Sequence, residues 1–74
     1  MDLTVEVHKE GPGYWAHVVD LPGCFAAELS LDELRKALEE AIGLYLWDHP
    51  NAVVLSDHEL EPGEVRIQVF EPFS

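Results

Sequence analysis

Positive charge is scarce in this chain. Four Lys and Arg stand against fifteen Asp and Glu, a formal charge of −11. Basic side chains on phosphates supply most non-specific affinity for nucleic acids, so direct binding to DNA or RNA is not expected. A basic partner would be steered towards such a surface, although excess acid also serves plain solubility. Cysteine is scarcer still. Cys24 stands alone, which rules out an intramolecular disulfide and a multi-cysteine zinc site. Long apolar runs are missing as well: no stretch approaches the roughly 20 residues that span a bilayer. No basic segment followed by an apolar run marks a signal peptide. No membrane association is expected, and the cytoplasm is the expected compartment.

What remains suffices for one small folded unit. The chain has 74 residues, 47% of them apolar, which is the composition of a globular protein rather than a disordered one. A single domain over residues 1–74 is expected. A core this small buries a limited share of its surface, so support from a homo-oligomer or a partner is expected.

The alternation of apolar and polar residues places the strands. In "LTVEVH", residues 3–8, Leu3, Val5 and Val7 take one face while Thr4, Glu6 and His8 take the other, the period of a half-buried strand. "KEGPG" at 9–13 reads as a turn, and residues 14–20 resume as a strand rich in aromatic and β-branched residues. The two form a hairpin. Its second strand has two candidate inner sets: Tyr14, Ala16 and Val18, or Trp15, His17 and Val19. A register pairing Val7 with Tyr14 and Val5 with Ala16 buries the set without a histidine and is preferred; a one-residue slip would invert every side chain. "LPG" at 21–23 has turn chemistry, and a short third strand is expected from Cys24 to about Leu29.

"SLDE" then opens a helix. Ser30 is the N-cap and Glu33 stands three positions on, a capping box, with Asp32 and Glu33 at the positive end of the helix dipole. Leu31, Leu34, Leu38, Ala41, Ile42 and Tyr45 form one helical stripe, and the helix should run from Leu31 to about Trp47, stopping before Pro50. "AVVL" at 52–55 fits a short edge strand or an apolar loop. "EPGE" at 61–64 reads as a turn, and "VRIQVF" at 65–70 as the last strand. The order is β-β-β-α-β, a mainly antiparallel sheet with one helix packed on one face. That is an α+β fold.

Chemistry is harder to find. His8, His17, His49 and His58 show no metal-ligand spacing and read as exposed side chains. A Cys24–His17 nucleophile pair would need a stabilised thiolate, which the surrounding negative charge opposes; Cys24 reads better as a small buried hydrophobe. Glu6, Asp20 and Glu64 lie at strand edges where carboxylates could converge on Mg²⁺, but no spacing enforces it. No catalytic residue, cofactor or metal ligand is assigned, and the chain is not expected to be an enzyme. Two tryptophans are more informative, because exposed Trp is enriched at binding hot spots. Trp47 falls off the apolar helical stripe, beside Lys36 and Glu40, and either packs under the following loop or awaits a partner. Trp15 lies on the outer face of the second strand with His17. Trp15 and His17, with Trp47 second, are the candidate partner or oligomer interface.

"GYWAHVVDLPGC" (Gly13 to Cys24) and the capped helix "SLDELRKALEEAIGLYL" (Ser30 to Leu46), in this order and spacing, resemble the N-terminal domain of the HicB-like antitoxin family. Ala27, Glu28 and Leu29 stand where that family often has glycine, and the C-terminal helix-turn-helix or ribbon-helix-helix DNA-binding domain usual in that family is not expected here, so operator binding is not carried over. The resemblance implies a partial, non-catalytic RNase H-like β-β-β-α-β fold. It also implies neutralisation of a small basic RNA-cleaving HicA-like toxin by protein–protein contact. The alternatives are a metal-dependent nuclease or hydrolase on an RNase H-like sheet, with carboxylates such as Glu6 and Asp20 holding Mg²⁺ or Mn²⁺, and an orphan structural domain without a toxin partner.

Overall fold

The computed structural model describes residues 2–49, 54–55 and 60–70. Five strands and one helix follow in order: β1 (Asp2–Glu10), β2 (Gly13–Val18), β3 (Phe25–Glu28), α1 (Leu31–Trp47), β4 (Val54–Leu55) and β5 (Gly63–Phe70). The sheet order is β3-β2-β1-β5-β4, and every neighbouring pair is antiparallel. This is the expected α+β fold. The undecided stretch at 52–55 contributes a two-residue edge strand, Val54–Leu55, beside β5. No helix among the described residues is long and apolar enough to cross a membrane.

The alternation decides what is buried. Leu3, Val5 and Val7 of β1, Ala16 and Val18 of β2, and Val65, Ile67 and Val69 of β5 form one buried cluster with Leu34, Leu38 and Ile42 of α1. These residues line the face that the helix closes. Burying each large aliphatic side chain stabilises the fold by about 1.5–3 kcal/mol. The set without a histidine faces inward, as expected, but the pairing is displaced. Val7 stands opposite Ala16 and Val5 opposite Val18, two residues from the expected partners. A shift of two keeps the faces and changes the neighbours.

The cause is the turn. Lys9 and Glu10 remain in β1, Glu10 pairs with Gly13, and only Gly11 and Pro12 make the connection. Gly11 has φ 57°, and Pro12 has its φ held negative by its ring; these are the φ signs of a type II′ hairpin turn, which wants glycine first. Gly13 is needed for a different reason: a Cβ there would lie 2.9 Å from the Glu28 carbonyl oxygen of β3.

β2 ends at Val18, earlier than expected, because the chain turns at Val19 and Asp20. The Val19 amide donates to the Thr4 carbonyl at 2.8 Å, and the Thr4 amide donates to Asp20 Oδ2 at 2.6 Å. The Asp20 carboxylate thus replaces the strand carbonyl lost at the turn. Leu21 to Gly23 form the tight break, with the Cys24 amide donating to the Leu21 carbonyl at 2.9 Å. β3 is correspondingly shorter than expected, Phe25–Glu28. At the other end β5 begins at Gly63, inside the expected 61–64 turn, because Gly63 already pairs with Val7.

The helix has the expected bounds. Ser30 Oγ accepts from the Glu33 amide at 3.1 Å, so the hydroxyl half of the capping box is formed. Asp48, in the left-handed region at φ 55°, ends the helix; Asp tolerates that region better than most residues. The apolar stripe is corrected at its end. Tyr45 is exposed, and Leu46 and Trp47 pack against the core instead. Along Leu34, Leu38 and Ile42 each four-residue step advances about 40° around the axis, so the buried line runs on to Leu46 and leaves Tyr45 behind.

Candidate functional site

Among the described residues no helix lies on the second face of the sheet. Thr4, Glu6 and His8 of β1 face outward there with Trp15 and His17 of β2, since their strand neighbours are the buried residues. The hairpin register sets Glu6 directly opposite His17 and His8 directly opposite Trp15. Across β2, Trp15 pairs with Ala27 and His17 with Phe25; Phe25 is 67% exposed. Across β1, Glu6 pairs with Glu64.

These side chains form one cluster. The His8 and Trp15 rings stack with centroids 4.2 Å apart and 17° between planes. His17 lies 5.6 Å from Trp15 and 5.8 Å from His8, again nearly parallel. Glu6 Oε2 sits 3.4 Å from His17 Nε2. His8 Nε2 is buried in the cluster and has no hydrogen-bond partner. One donor atom from each of Glu6, His8 and His17 lies within 4.8 Å of the other two. The arrangement offers a rigid aromatic platform for contact and a convergent set of two imidazoles and one carboxylate.

Among curated proteins the chain is similar to a "UPF0150 protein" of Archaeoglobus fulgidus, 43% identical over 47 residues that make up 62% of this chain and 68% of that relative. The chain belongs to the UPF0150 family. No family model matches it, and no solved structure matches it.

Trp15 and His17 share one patch, half-buried on the outer face. Trp47 is not part of it. Its side chain is half-buried against the core on the helix side, while residues 52–53, its other suggested neighbours, lie outside the described residues. Cys24 and His17 are also separated: Cys24 is buried in the core, on the opposite side of the sheet from His17. Burial pushes the Cys24 thiol up from its ordinary value, the wrong direction for a nucleophile. Asp20 is committed to the Thr4 amide and does not join Glu6. His49 is exposed beyond the helix; His58 lies outside the described residues.

The residue that sequence reading missed is His8 in its relation to the others. Glu6 and His8 are two apart on one strand, and His17 is nine further on, so no local spacing links them. The available signal was the hairpin itself: any register that buries Val5, Val7, Ala16 and Val18 sends Glu6, His8, Trp15 and His17 to the opposite face.

Proposed function

We propose that this UPF0150 protein is a HicB-like, antitoxin-type binding module. In this reading it neutralises a small basic RNA-cleaving toxin of the HicA-like kind by protein–protein contact. The UPF0150 family is related to HicB, which supports the class. The observation that carries the reading is the uncovered outer face, where Trp15 stacks between strands with His8 and His17. A stacked aromatic patch on a sheet buttressed from behind by a helix has the composition of a binding hot spot. The surrounding acid, at a net −11, is complementary to a basic RNA-binding surface and speeds encounter with it.

The module is non-catalytic in this proposal, works in the cytoplasm, and binds neither nucleic acid nor membrane directly. A homo-oligomer is proposed as well. Among the described residues β3 is an edge strand hydrogen-bonded on one side, with exposed Phe25 at its start and exposed Leu29 just past its end, so a second copy would cover that backbone edge and apolar side chains together. Co-expression with a small basic RNA-cleaving toxin of the HicA-like kind, taken from the same genome, tests the function. The expected result is a co-purifying complex and restored growth, both weakened by Trp15→Ala. Such a ribonuclease remaining toxic and unbound would refute the reading.

A further inference from the structure

We propose that Glu6, His8 and His17 form a three-ligand site for a divalent transition-metal ion of the zinc class, on the open face of the sheet. The donor set comes first. Two imidazoles and one carboxylate suit zinc and its neighbours rather than magnesium or calcium, which prefer all-oxygen ligands. Three protein ligands with a fourth position left to solvent is the pattern of open zinc sites. Here the fourth position is open because, among the described residues, no helix covers this face.

Geometry is the second observation. In a tetrahedral site with ligands about 2.1 Å from the ion, neighbouring donors are about 3.4 Å apart. Glu6 Oε2 and His17 Nε2 already have that separation, 3.4 Å. All three donors lie within 4.8 Å of one another, so rotation about side-chain torsions is enough to close the set. The His8 and His17 rings are 5.8 Å apart and nearly parallel, 10° between planes; an ion must lie in the plane of each ring, so the His17 imidazole turns about its side-chain torsions to close the set while the Trp15 stack holds His8.

The third observation points to a ligand directly. His8 Nε2 is buried without a hydrogen-bond partner, and buried polar atoms are rarely left so. Trp15, stacked at 4.2 Å, restrains the imidazole ring. A metal ion would give that nitrogen its missing partner. Charge works in the same direction: Glu6 stands directly opposite Glu64 across β1 and β5, a like-charge pair that is unfavourable alone and is relieved by a bound cation. Both strands that supply ligands are paired on two sides within the sheet, so the donors are presented by rigid backbone.

The test is titration of the metal-free full chain with Zn²⁺ by calorimetry and with Co²⁺ by visible absorption. The expected result is one ion per chain, the d–d bands of low-coordinate cobalt, and Mg²⁺ binding at least about a hundredfold weaker. Glu6→Gln and His17→Ala should each lower Zn²⁺ affinity at least about tenfold, while His49→Ala leaves it unchanged. His17 is partly solvent-exposed, so its removal reports on the metal even if His8→Ala disturbs the fold. Circular dichroism of each variant confirms that the fold is kept. No Zn²⁺ binding at millimolar concentration, or binding that survives both Glu6→Gln and His17→Ala, would overturn the proposal.

Discussion

The two faces of one hairpin show how the same alternation leads to opposite outcomes. Val5, Val7, Ala16 and Val18 point one way and are 0–2% exposed beneath α1. Glu6, His8, Trp15 and His17 point the other way and are half-buried. The inner face is closed by Leu34, Leu38 and Ile42, so its side chains are interchangeable in kind provided their volume is kept. Among the described residues no helix lies over the outer face, so chemically specific groups can stand there without being filled in by a core. Stability and recognition are thereby divided between the two sides of a single sheet.

Substitutions can break that division. Leu38→Ala, at a fully buried position on the closing helix, should have the largest effect: a loss of about 2–5 kcal/mol, read from urea unfolding. A domain of this length has only about 4–11 kcal/mol in total, so this one change removes a large part of it. Gly13→Ala should follow, at about 1–3 kcal/mol, because the new methyl meets the Glu28 carbonyl and forces β3 away from β2. Early hydrogen exchange of the β2–β3 amides would locate the damage there.

On the outer face, Trp15→Ala should cost the fold less than Leu38→Ala: about 0.5–1.5 kcal/mol for the lost His8 stack, added to the apolar area that the half-buried ring covers. Its effect on partner affinity should exceed its effect on stability, which calorimetry of binding and of unfolding can compare in one variant. A Trp15→Ala loss as large as that of Leu38→Ala would show that the two faces are not divided in this way.

The smallest effect concerns pH. Burial raises the Cys24 thiol above its ordinary value of 9.0. Below 9.0 the thiol is neutral in folded and unfolded chains alike. As pH rises past that value the unfolded chain loses its proton first, so stability falls. The alkaline loss should be shallower in Cys24→Ala than in the parent protein, measured as urea midpoints on either side of 9.0.

Much of this was legible before any coordinates. The helix bounds follow from the Ser30 cap, the three- and four-residue apolar spacing and Pro50. The inner set of β2 follows from keeping histidine out of a core. The register did not follow, because "KEGPG" accommodates a four-residue loop over residues 9–12 and a two-residue turn at Gly11–Pro12 equally well. Only the continued pairing of Lys9 and Glu10 chooses between them. Tyr45 was misplaced because a stripe read from Leu34 is too straight; the buried line drifts around the helix towards Leu46. Trp15 and His17 were found on the outer face, but their relation to Glu6 and His8 was not, since contact across strands depends on register.

Periodicity and capping act within a few residues, so the letters alone were enough to set which segments become strand or helix, and which side chains each segment buries. The convergence of Glu6, His8 and His17, and the stack of Trp15 on His8, depend on two strands meeting in one particular alignment. That alignment comes from the Gly11–Pro12 turn acting together with the packed core, and it exists only once the chain has folded.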